Sequence, residues 1–106
     1  MNNQYKKGVV ELCALCLLNS GDTYGYDVSD YLSRRMDISD GAVYPILRKL
    51  KDDGLVTTYL SEDSGGPPRK YYAITSLGKE EYARAKEEWL AFARTIETIL
   101  EEKRNG

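Results

Sequence analysis

The sequence predicts a mostly α fold with one small β hairpin, in the order three helices, hairpin, long helix. Three observations predict it. Apolar residues recur every three or four positions in three separate stretches, and a fourth is apolar almost all round. Two short stretches rich in Thr, Tyr, Val and Ile flank the turn cluster "DSGGPP". From residue 76 onward a single helical pattern runs almost to the end of the chain.

The first helix is "GVVELCALCLLNSG", apolar almost all round and therefore predicted to be covered on several sides. Gly21 is the candidate C-terminal cap. Thr23 offers an N-cap for "YGYDVSDYLSRRM", whose Tyr24, Val28, Tyr31 and Leu32 have helical spacing. Gly25, a poor helix former, predicts close approach of another backbone there. The third helix is capped by Ser39 or Asp40, stopped by Gly54, and turns Val43, Ile46, Leu47 and Leu50 inward. Pro45 has two possible places in it. Either it sits in the second turn, with Gly41 absorbing the clash, or regular helix begins at Tyr44 and Pro45 takes the first helical position.

"LVTTYLSE" and "RKYYAIT" then form the hairpin, whose tip of six residues is longer than a tight turn. Thr75 or Ser76 caps the last helix, and Glu80 and Glu81 suit its positive end. Tyr82, Ala85, Trp89, Phe92, Ile96 and Ile99 follow one another at intervals of three and four, the seam of a helix that packs lengthwise on another. The preceding 75 residues are too small to cover such a stripe, so a second copy of the chain is the expected partner. The chain is expected to divide into residues 1–75, the three helices and hairpin, and residues 76–106, a C-terminal dimerisation helix.

Composition narrows the function. A chain of 106 residues is one ordinary domain that gains from self-association. No apolar run approaches the roughly 20 residues of a membrane span. "MNNQYKKGVV" is unlike a signal peptide, since Glu11 interrupts the apolar run over 9–18 and no cleavage site follows; a cytoplasmic protein is expected. With a formal charge of −2 there is no global affinity for nucleic acid, and any positive surface must arise by placement in space. Cys13 and Cys16 form a C-x-x-C pair, but zinc needs about two more ligands and the chain has no His. A redox thiol wants an exposed helix N-terminus, whereas these sit mid-run, so buried and inert core thiols are expected, with no cofactor and no metal. Catalysis fails on inventory: no His, no metal cluster, and a "SGGPP" that precedes a strand instead of opening a helix.

Three helices followed by a hairpin is the order of a winged helix-turn-helix, in which the third helix enters the DNA major groove and the hairpin lies on the backbone beside it. The segments "GDTYGYDVSDYL", "GAVYPILRKLKDDGLV" and "GGPPRKYYAITSLGKEEY" together resemble the PadR family of bacterial transcriptional regulators over roughly residues 8–85. The single C-terminal helix is similar to that of the smaller PadR subfamily. The resemblance implies a homodimeric repressor that binds double-stranded DNA at an inverted repeat. At Ala42 and Val43 the family more often has threonine and leucine, so the operator sequence does not transfer.

The expected DNA-binding residues are Tyr24, Ser39, Ala42, Tyr44, Arg48, Lys49, Lys51, Arg69 and Lys70. Arg48 can present a forked donor to guanine or phosphate, Lys49 and Lys51 act as point charges, and Tyr44 pairs a ring with a hydroxyl. From the residues alone, Arg48 and Lys51 read equally as a solvated face among Asp52 and Asp53, and the resemblance favours DNA. Arg69 and Lys70 are phosphate contacts or ordinary strand-edge charge. Tyr24 either meets a phosphate or packs in the core. Lys6 and Lys7 are a solvated terminus or an extra backbone contact. Trp89 and Phe92 are seam residues or, as the resemblance implies, an effector-binding slot for a planar aromatic small molecule between two chains. The alternative for the whole chain is a winged-helix protein–protein interaction module without DNA binding.

Overall fold

The structure, a computed structural model, describes residues 3–62 and 65–104, with side chains over 8–62 and 65–103. The side chains of Lys6 and Lys7, and Asp63 and Ser64 at the hairpin tip, lie outside the described residues. The elements are α1 (Asn3–Ser20), β1 (Thr23–Tyr24), α2 (Gly25–Met36), α3 (Asp40–Asp52), β2 (Val56–Ser61), β3 (Arg69–Ile74) and α4 (Ser76–Arg104). The predicted mostly α architecture with a hairpin is observed, and β1 is an addition. It joins the hairpin in an antiparallel sheet of order β1-β3-β2, pairing Thr23 with Tyr72 and Tyr24 with Tyr71. No helix of the described residues is long and apolar enough to cross a membrane.

The core forms where three helical stripes meet. Val10, Ala14 and Leu18 recur every fourth residue on α1, Val28 and Leu32 do so on α2, and Val43, Ile46, Leu47 and Leu50 come from α3; Val56 and Tyr72 close the cluster from the sheet. Between α2 and α3 the buried Ser29 hydroxyl donates to the Asp40 carbonyl at 2.8 Å, and Ser33 donates to the Asp40 carboxylate at 2.7 Å. These two bonds hold the start of α3 against α2.

Capping follows the backbone more than the side chains. Ser39, not Asp40, is the N-cap of α3, without a side-chain capping bond. Tyr24 stands at the N-cap of α2, while Thr23 is drawn into the sheet and its hydroxyl donates to the Gly21 carbonyl at 3.0 Å. Gly21 follows α1 without the left-handed conformation expected of a cap; Gly54, at φ +78°, has it. The Gly54 N–H reaches the Lys51 carbonyl at 3.0 Å and the Leu55 N–H that of Leu50 at 2.9 Å, which together end α3 in a Schellman motif. Pro45 lies inside α3, so the second-turn alternative holds. Gly41, whose carbonyl loses its partner to Pro45, has open space around it.

α4 is seated at its first turn. Thr75 is its cap: the hydroxyl accepts the Gly78 N–H at 3.0 Å and donates toward the Gly54 and Leu55 carbonyls at 2.7 and 3.0 Å. A Cβ at Gly78 would lie 2.0 Å from the Leu55 carbonyl oxygen, so only glycine fits this approach. Glu80 and Glu81 fall past the first turn, which holds no acid, and Glu81 instead pairs with Arg84.

The two thiols are not both buried as expected, since only Cys13 packs against the core cluster, and Tyr31 of α2 also faces outward. Tyr31 is exposed, with the Arg35 guanidinium 3.8 Å from its ring centroid. Cys16 is exposed and Cys13 half-buried. Two residues beyond the buried Ala14, Cys16 is turned by roughly 200° around α1 and so faces away from the core. At Gly25 the close neighbour is a ring more than a backbone: a Cβ would sit 3.0 Å from Tyr72 and 3.7 Å from the Lys70 carbonyl.

Candidate nucleic-acid interface

α3 has two exposed flanks with different surroundings. Each residue turns the helix by about 100°, so Tyr44, Arg48 and Lys51 share one flank and Ala42 and Lys49 the other. On the first flank Tyr44, Arg48, Lys51 and Asp52 face Lys70 and Tyr72 of β3 across a recess of about 370 Å³. Lys70 and Tyr72 arrive together because alternate strand residues share a face. Among the described residues Arg48, Lys51 and Lys70 make no ion pair, and Asp52 is the one carboxylate on the recess. Burial, reinforced by the Tyr44 phenol and opposed by Arg48, holds the Tyr72 hydroxyl above the ordinary tyrosine range. It therefore stays a neutral donor and acceptor beside the cations.

Lys49 does not join them. Its ammonium bonds Asp53 at 2.9 Å and lies 3.7 Å from Glu11 of α1, and these partners, Asp53 first, raise its pKa. One helical step past Arg48 turns it toward α1, apart from Arg48 and Lys51. Ser39 and Ala42 are exposed at the N-terminal end of α3 and do not line the recess.

The alternation that brings Lys70 to the recess sends Arg69 to the opposite face of the sheet. There Tyr24, Tyr71 and Tyr59 form a row across β1, β3 and β2, with centroids 6.1 and 5.7 Å apart. The Arg69 guanidinium lies 4.9 Å from the Tyr24 centroid, and the Tyr59 hydroxyl donates to Asp22 at 2.7 Å. Tyr24 is thus a packed residue, but in a surface row and not in the core. Tyr72 was not anticipated at the recess; the period of two through "RKYYAI" is the signal that pairs it with Lys70.

The apolar seam of α4 divides in two. Tyr82 and Ala85 are half-buried, Tyr82 packing against the core cluster and donating its hydroxyl to Cys16 Sγ at 3.4 Å. Trp89, Phe92, Ile96 and Ile99 stand 41, 50, 39 and 49% exposed.

The family model described as "Transcriptional regulator PadR-like family" matches residues 14–84. An uncharacterized protein of Lysinibacillus sphaericus is 30% identical over 99 residues, covering 90% of this chain and 91% of that one. The negative transcriptional regulator PadR of Bacillus subtilis (strain 168) is 29% identical, with 89% of this chain covered; the chain spans about half of that protein's length, 52%. A crystal structure of a PadR-like transcriptional regulator from Bacillus cereus superposes with a TM-score of 0.83 at 34% identity, covering 92% of this chain and 97% of that one.

Proposed function

The chain belongs to the PadR-like family of transcriptional regulators, and from that premise we propose that it is a homodimeric repressor gripping an inverted-repeat operator with α3 and the hairpin. The observation that carries the DNA contact is the meeting of Arg48, Lys51 and Lys70 on one recess, without ion-pair partners among the described residues. In a chain of net charge −2, a local surplus of this kind is what phosphate neutralisation requires. Arg48 takes a guanine edge or a phosphate, Lys51 and Lys70 take phosphates, and Tyr44 packs on sugar or a thymine methyl. Ser39 and Ala42 flank the groove from the helix start, and Arg69 with Tyr24 meets the backbone beyond it. Lys49, already neutralised, is left out of the contact set.

In this reading residues 1–75 bind DNA and residues 76–106 join the two chains through Trp89, Phe92, Ile96 and Ile99. Their exposure in the single chain supports it, since covering such side chains contributes roughly 1 kcal/mol or more each. Trp89 and Phe92, three residues apart on one face, then form the slot for a planar aromatic effector that alters the spacing of the two DNA-binding units. Titration of planar aromatic compounds against the emission of the single tryptophan reads that slot directly.

Selection from random duplex DNA tests the function. The expected product is an inverted repeat with half-sites about 34 Å apart, one helical turn. Absence of enrichment, or undiminished binding by a chain carrying both Arg48→Ala and Lys70→Ala, overturns the assignment.

A further inference from the structure

Cys13 and Cys16 take no part in the DNA face, and both are free thiols. They line a recess of about 260 Å³ between α1 and α2, and Met36, the last residue of α2, lines it with them. Three sulfur-bearing residues from two helices thus line one recess, with no carboxylate among its lining residues. Cys16 is exposed, so the recess is open to solvent.

Helix geometry decides what can join the two thiols. Residues three apart on a helix hold their Cβ atoms roughly 5–6 Å apart, whereas a disulfide needs about 3.5–4.5 Å. An S–S bond would therefore bend α1. A bridging ion would not, because a thiolate-bound metal such as zinc sits about 2.3 Å from each sulfur, so two such bonds span the gap. Zinc itself wants four ligands, and among the described residues no group of three His, Cys, Asp or Glu is found. Thiolate and thioether donors in low number suit Cu(I) instead.

We propose that Cys13, Cys16 and Met36 form a binding site for a soft monovalent cation, Cu(I). Binding displaces one proton from each thiol, so Cu⁺ with two thiolates carries a net charge of −1. Arg35, whose guanidinium lies over the Tyr31 ring, lines the same recess and supplies a positive charge to balance it. The Tyr82 hydroxyl already donates to Cys16 Sγ at 3.4 Å and remains a donor to the thiolate. Through Tyr82 the site touches the base of the α4 seam.

The test is anaerobic titration of the reduced full chain with Cu(I) against the chromogenic chelator bicinchoninate. Wild type should withdraw one equivalent per chain, in the presence of excess Zn(II) as well. Cys13→Ser and Cys16→Ser should each weaken binding by roughly 100-fold or more and Met36→Leu by about tenfold, since losing a ligand costs at least as much as the roughly 10–100-fold lost when a residue that only supports a ligand is changed. Circular dichroism of each variant reports that it has folded. A wild type that withdraws no more copper than a chain carrying both Cys13→Ser and Cys16→Ser overturns the site, and a Met36→Leu chain equal to wild type overturns the three-sulfur assignment.

Discussion

Gly78→Ala tests how α4 is attached to the rest of the fold. The added Cβ would fall 2.0 Å from the Leu55 carbonyl oxygen, 3.0 Å from its carbon and 2.7 Å from Ile74 Cγ1. Ordinary contact needs more than 3.4 Å, so something must move by over an ångström. The carbonyl is poorly placed to do so: it accepts the Thr75 N–H at 3.0 Å and the Thr75 hydroxyl at 3.0 Å, while the Leu55 N–H is held by Leu50. Overpacking of this kind costs about 1–3 kcal/mol, and two tethered backbones put it at the upper end. The better helix propensity of alanine returns at most about 1 kcal/mol. A net loss of roughly 2 kcal/mol lowers the melting temperature by about 8–16 °C in a chain of this size. Thermal unfolding followed by circular dichroism, at one fixed protein concentration, measures it. A melting temperature equal to or above that of wild type would show that α4 is not seated on Leu55, and the reasoning fails.

Pro45→Ala restores an N–H facing the Gly41 carbonyl. The helix gains about 3 kcal/mol and the unfolded chain regains up to ~1 kcal/mol of freedom, so denaturant unfolding should show about 2 kcal/mol of added stability; an unchanged midpoint would mean that α3 is not regular there. The two thiols should differ in reactivity. Cys13 is half-buried, and burial, with Cys16 adding, pushes its pKa up, so near pH 8 less of it is thiolate. Iodoacetamide followed by peptide mass spectrometry should find Cys16 modified first; the reverse order would contradict the exposure of the two side chains.

The helices were legible because their apolar residues recur with the helical period. Val43, Ile46, Leu47 and Leu50 are the clearest case, and all four are buried as their spacing required. The hairpin was legible from β-branched and aromatic residues on either side of a glycine–proline cluster. β1 was not, since two residues carry no period; Thr23 and Tyr24 are extended only because β3 lies alongside. The candidate DNA face was half legible. Tyr44, Arg48 and Lys51 could be grouped by helical spacing, and the i,i+4 spacing of Lys49 and Asp53 was equally readable, whereas the contact of Lys49 with Glu11 exists only after α1 folds against α3. Arg69 and Lys70 invited a common role as neighbours, and strand alternation separates them. Cys13 and Cys16 looked like core because the whole of α1 is apolar, while burial depends on which flank its neighbours leave open.

The central claim is that the α3–β3 recess binds DNA phosphates, and the salt dependence of operator affinity tests it most directly. The three recess cations and Arg69 make four per chain, and so eight in a dimer, which predicts a slope of log affinity against log salt of about −7. Lys70→Ala in both chains should make that slope shallower by about 2, without changing which sequence is bound. A wild-type slope near zero, or one that Lys70→Ala leaves unaltered, would contradict the account.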